Sequence, residues 1–155
     1  MTSGNVLYID TAVGETSTAN RHYANGTHTV VMNNNDGNIN AAQDYMMYAW
    51  ANKTGVSHFG TYEGSGVLKT VTGVGFSPKF LIIKSIDSAN SWVMYDVFRG
   101  FGTSNSNNGR VFYPDATQVE GAGFGITVNS AGWSMQHSSA AANASSQDYV
   151  YIAFA

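Results

Sequence analysis

Gln147-Asp-Tyr-Val-Tyr-Ile-Ala-Phe-Ala155 reads as a β-strand with apolar side chains on both faces. Period-2 alternation sends Tyr149, Tyr151 and Ala153 to one side and Val150, Ile152 and Phe154 to the other. The same phrase occurs earlier as Gln43-Asp-Tyr-Met-Met-Tyr-Ala-Trp-Ala51, at an offset of 104 residues (147 − 43). A strand repeated at domain-sized spacing punctuates modules. The chain therefore divides into residues 1–51, the second half of a module, and residues 52–155, a complete one.

Working outward, short runs of aromatic and β-branched residues alternate with turn signals. The 17 glycines, two prolines and many Asn, Ser and Thr residues leave little room for helices. The pattern predicts strands over 6–10, 28–32 and 44–51 in the first part, with Asn25-Gly26 as a turn pair. In the second part it predicts strands over 57–62, 67–72, 79–86, 91–97, 111–113, 124–129, 133–137 and at the chain end. Phe80-Leu-Ile-Ile83 is apolar on both faces, which suits a central strand. Residues 140–146 read as small and polar rather than helical. The expected fold is all-β: an antiparallel, jelly-roll-like β-sandwich, with the N-terminal partial repeat adding strands.

Composition restricts the function classes. Only 11% of the 155 residues are charged, against about 25% in ordinary globular proteins. Weak mutual repulsion suits a protein that lives in an assembly. A net charge of −3 with seven basic residues speaks against a nucleic-acid surface. The absence of cysteine removes disulfides and thiolate sites. Neither a signal peptide nor a membrane-length apolar run is visible, so synthesis in the cytoplasm without membrane insertion is expected.

No catalytic constellation stands out. Glu63, Asp87, Asp96, Asp115, Glu120 and Asp148 are scattered, and a glycan depolymerase would need two of them facing one another across a groove. His22, His28, His58 and His137 lack metal-binding spacing. Residues 33–40 hold a single carboxylate, Asp36, too little for calcium. No metal or cofactor is expected. The longest polar loop, Phe101-Gly-Thr-Ser-Asn-Ser-Asn-Asn-Gly-Arg110, is the best contact surface. There the amides of Asn105, Asn107 and Asn108, with Arg110 and the Phe101 ring, are candidate ligand-binding groups for a sugar. Trp133, set after a turn among polar neighbours, is a further stacking candidate. Trp50 and Trp92, inside apolar strands, read as core. Asp96 and Arg99 are spaced to pair across a turn, a structural clamp for the loop that follows.

Several motifs in order resemble a repeat of fibre-like proteins of tailed phages, marine ones especially. They are Gly73-Val-Gly-Phe-Ser-Pro-Lys-Phe-Leu-Ile-Ile-Lys84, Asp87-Ser-Ala-Asn-Ser-Trp-Val-Met-Tyr-Asp96 with Arg99-Gly100, and Asn129-Ser-Ala-Gly-Trp133. The run from Asn143 to Ala155 and the entry strand Phe59-Gly-Thr-Tyr-Glu-Gly-Ser-Gly66 complete the set. The resemblance implies a virion structural module, in a tail or head fibre or a capsid-decorating subunit. It implies assembly with itself, a trimer first, and with other virion proteins. A carbohydrate-binding, receptor-recognising domain for host cell-surface glycan is the second reading. The chain is shorter than most such fibres, and residues 1–51 lack the Gly-x-x-Pro strand.

Overall fold

The computed structural model describes residues 5–17, 23–26, 29–32, 41–100, 110–122 and 124–155. The protein is all-β, with antiparallel pairing throughout the described ladders. Two short hairpins come first: β1 (Asn5–Val6) with β2 (Thr16–Ser17), and β3 (Tyr23–Gly26) with β4 (Thr29–Met32). Asn25 and Gly26, expected as a turn pair, instead close the β3 strand itself, where they pair with Val30 and Thr29.

The second part holds β5 (Ser57–Glu63), β6 (Leu68–Val71), β7 (Phe80–Ser85), β8 (Val93–Asp96) and β9 (Arg110–Val111). These are followed by β10 (Gly121–Ala122), β11 (Ile126–Asn129), β12 (Gly132–Gln136) and β13 (Asp148–Phe154). One sheet has the order β5-β13-β7-β8, and the other β11-β12-β6. A bridge between Met94 and Phe112 continues the first sheet toward the β9–β10 pair. The last strand lies beside the first, β13 on β5, and the next pair inward, β12 on β6, repeats this in the other sheet. That nesting is the jelly-roll-like feature of the sandwich.

Between the sheets lies one core. Sheet one contributes Tyr62, Leu81, Ile83, Val93, Tyr95, Tyr149 and Tyr151, and sheet two Val71, Ile126, Trp133 and Met135. The alternation of β13 has its expected result, since Tyr149, Tyr151 and Ala153 are buried while Val150, Ile152 and Phe154 are half-buried on the outer face. Tyr62 organises the aromatic centre. It meets Trp133 edge-on at 5.0 Å and stacks on Tyr149 at 5.1 Å. Each such pair is worth ~0.5–1.5 kcal/mol beyond its buried area. The Tyr62 hydroxyl donates to the Ala142 carbonyl at 2.5 Å, tying the non-helical 140–146 segment to the core.

Two expectations for the first part fail. Within 6–10 only Val6 enters a ladder. Residues 44–50, the echo of β13, form no strand. Their sequence has strand character, but β13 owes its ladder to β5 and β7, and residues 1–51 lack a counterpart of the Gly-x-x-Pro strand. Trp50 consequently lies largely exposed rather than in the core.

The start of the chain is fastened to the sandwich at the β7–β8 connection. Lys84, fully buried, donates from Nζ to the carbonyls of Ala12 (3.1 Å), Ser85 (3.1 Å) and Asn90 (2.8 Å). The Trp92 indole donates to the Tyr8 carbonyl at 2.8 Å, and the Glu15 N–H to the Ile86 carbonyl at 2.7 Å.

Candidate contact site at the foot of the 101–109 loop

Asp96 ends β8 in extended conformation and caps a single turn of 3-10 helix, Val97–Arg99. Its Oδ1 accepts the Phe98 N–H at 3.0 Å, which satisfies one of the donors a helix start leaves open. Its Oδ2 receives the Arg99 guanidinium. Gly100 closes the turn with φ 85°, a left-handed conformation that glycine adopts without a Cβ penalty. The chain then leaves toward residues 101–109 and returns at Arg110.

Glu120, just before β10, brings the two ends of this loop together. Its Oε2 lies 4.0 Å from Arg99 Nε and its Oε1 3.8 Å from Arg110 Nε. Arg99 also sits over the Phe112 ring, 4.2 Å from the centroid, a cation–π contact. The loop foot is thus a run of alternating charge, Asp96, Arg99, Glu120 and Arg110, laid against an aromatic ring. Such partly exposed pairs are screened by water and fix geometry more than stability.

The sequence-based candidates divide. Asp96 and Arg99 are joined, and Arg110 stands exposed beside them. Phe101, Asn105, Asn107 and Asn108 lie outside the described residues. Trp133 is a correction: it is 0% exposed, packed against Tyr62 and Tyr151, so no ligand ring can stack on it. Phe98 escaped the sequence reading. At 96% exposure, next in sequence to Arg99, it is an aromatic that the loop foot leaves uncovered. Its position follows from the helical turn that Asp96 caps, which breaks strand alternation just where Val97 and Phe98 begin.

The other conspicuous polar groups are structural. Asp87 Oδ2 accepts the Asp148 N–H at 2.6 Å, and Asp115 Oδ2 the Trp92 N–H at 3.3 Å. Burial pushes the Lys84 amine below its ordinary pKa, and nearby Asp115 partly counters that. Burial likewise lowers His137 and raises the phenols of Tyr62, Tyr95, Tyr149 and Tyr151. His58 stacks on Tyr151 and shares a hydrogen bond of 2.9 Å with its hydroxyl. Among the described residues no three His, Asp or Glu side chains gather as a metal cluster, and no helix is long and apolar enough to cross a membrane.

Residues 1–155 match the model of a protein family described as Domain of unknown function (DUF7483), and the chain belongs to that family. No curated protein and no solved structure matches it.

Proposed function

We propose that this member of the family is a non-enzymatic structural protein of a phage virion, a fibre or capsid-surface subunit that assembles with itself and with other virion proteins. The observation that carries the reading is where the motif residues go. Those that resemble the phage repeat are engaged in holding the sandwich together. Lys84 follows the apolar run of β7 and fastens the start of the chain. Asp96, Arg99 and Gly100 form the capped turn below the loop. Asn143, fully buried, cross-links two loops. A motif built this way transmits shape and leaves loops free to vary, as a modular virion component requires. The carboxylates Asp87, Asp96 and Asp115 each accept a backbone N–H, a scaffold role rather than an acid–base one.

Electron microscopy of particles made with and without the protein tests this reading. The expected result is loss of a fibre or surface feature from the particles that lack it. Unchanged particles, with the protein confined to the infected-cell cytosol, would overturn it.

A host glycan is the second reading, favoured by the exposed ring of Phe98, next in sequence to Arg99, and by the exposed Arg110 that shares Glu120 with Arg99. Glycan-array binding that disappears in both Phe98→Ala and Arg110→Ala supports it. A flat array with folded protein excludes it.

A further inference from the structure

The outer face of the first sheet carries a nearly wholly apolar groove of about 350 Å3, lined by Phe59, Phe80, Ile82, Ile152 and Phe154 of the sheet together with Ile9 and Trp50. Trp50 stacks on Tyr48 at 6.1 Å. The chain reaches this place through a reversal at residues 53–57, where Lys53 and Ser57 exchange backbone hydrogen bonds. The Asn52 side chain then accepts the Phe59 N–H at 2.7 Å. That contact occupies the β5 edge and stops the preceding segment from zipping along it. Between Asp44 and Trp50 no backbone hydrogen bond forms among the described residues.

This leaves a segment of strand-forming sequence whose backbone donors and acceptors are unpaired among the described residues and whose apolar side chains are exposed. We infer that residues 44–50 are a strand-addition interface whose occupant is the same segment of a second copy, paired antiparallel about a two-fold axis at Met47. The inference rests on the self-assembly part of the proposed function and specifies its contact. Three observations carry it.

First, unpaired strand backbone is matched best by another strand. Second, the exposures of Tyr45 (45%), Met46 (79%), Met47 (58%), Tyr48 (71%) and Trp50 (65%) are large. Taking ~150–250 Å2 per aromatic side chain and about 200 Å2 per methionine, they leave roughly 600 Å2 per copy, near the ~800 Å2 of a standard interface. Third, Asp44 is the only charged residue from 43 to 52. Antiparallel pairing centred on Met47 sets it opposite Trp50 and keeps the two Asp44 carboxylates roughly 20 Å apart, at ~3.3 Å per residue. Parallel in-register pairing, as in a stacked trimer, brings them within ~5 Å, where like charges repel.

The absence of cysteine makes the test clean. Met47→Cys, oxidised mildly, is expected to form covalent dimers on its own. Tyr45→Cys is expected to cross-link when mixed with Ala49→Cys and not by itself, while Val67→Cys, exposed just before β6 of the other sheet, stays monomeric. Sedimentation of Met47→Arg should show the dimer weakened about tenfold or more, with the thermal midpoint unchanged at concentrations low enough that both proteins are monomeric, because the segment lies outside the core. Efficient cross-linking of Tyr45→Cys alone means parallel packing and overturns the inference. An oligomeric wild type in which Met47→Cys never cross-links and Met47→Arg still assembles also overturns it, while self-assembly through another face survives. A wild type that is monomeric at micromolar concentration refutes both the interface and the self-assembly.

Discussion

Replacing Asn143 by alanine removes the side chain that locks the 137–143 segment to the 65–67 turn. Its Oδ1 accepts the Ser65 N–H at 2.9 Å, and its Nδ2 donates to the carbonyls of Val67 at 2.7 Å and His137 at 2.5 Å. The residue is 0% exposed. At ~1 kcal/mol net for each neutral hydrogen bond, Asn143→Ala should cost ~3 kcal/mol. That is a large fraction of the ~5–15 kcal/mol by which a domain is usually stable. Asn143→Asp separates the hydrogen-bond argument from packing. The introduced carboxyl has nearly the same shape, but it places an oxygen against two carbonyls. Burial and those carbonyls raise its folded-state pKa above the unfolded ~3.9. The resulting penalty is absent below that pH, grows as pH rises to the folded-state value, and stays constant beyond it. At pH 7 a shift of about two units adds ~2.7 kcal/mol, so the Asp variant should be the less stable of the two, with the gap closing toward pH 4. Urea unfolding followed by the fluorescence of buried Trp92 and Trp133 reads both effects. An alanine variant within about 0.5 kcal/mol of wild type, against the ~1 kcal/mol expected for even one bond, would refute the reasoning. So would an Asp variant with no pH dependence relative to it.

Other outcomes follow from the same packing. Gly60→Ala places a Cβ 2.7 Å from the Tyr151 hydroxyl, and the shift this forces should lower stability by ~1–3 kcal/mol in calorimetry. Lys84→Met deprives three backbone carbonyls of their donor. With the relief of burying no charge offsetting part of the loss, about 2 kcal/mol is expected, with faster hydrogen exchange confined to residues 8–15. Tyr62 and Tyr95 have phenol pKa values raised chiefly by burial. Stability should hold up to the unfolded-state value near pH 10 and then fall by ~1.4 kcal/mol per pH unit for each of them, because only the unfolded chain ionises. Alkaline denaturation followed by tyrosinate absorbance checks this, and absorbance rising before unfolding contradicts it.

Much of the architecture was legible because burial writes a period of two into each strand. In β13 the inward Tyr149, Tyr151 and Ala153 and the outward Val150, Ile152 and Phe154 stand in the sequence as they do in the sheet. Trp133 carried the same signal, since Gly132-Trp-Ser-Met alternates and puts Trp133 and Met135 on one buried face. Its polar neighbours obscured that. Residues 44–51 were illegible for a different reason. A strand exists only when neighbours complete its ladder, and tertiary context overrides local propensity. The similar phrase is therefore a central strand at one end of the chain and, among the described residues, an unpaired segment at the other. The loop foot was half legible: the Asp96–Arg99 spacing foretold their contact, whereas the exposure of Phe98 depended on an irregular turn with no period to read. Nothing in an isolated lysine after four apolar residues announces that Lys84 is buried. Only the three carbonyls that converge on it explain that.

The central claim is that this protein is a component of a virus particle. Quantitative mass spectrometry of gradient-purified phage particles, from an infection in which the chain is expressed, addresses it most directly. The account predicts that the protein co-purifies with the particles at a stoichiometry comparable to their other structural proteins and persists through high-salt washing. Recovery only from the soluble lysate, with none in the particle band, would contradict it.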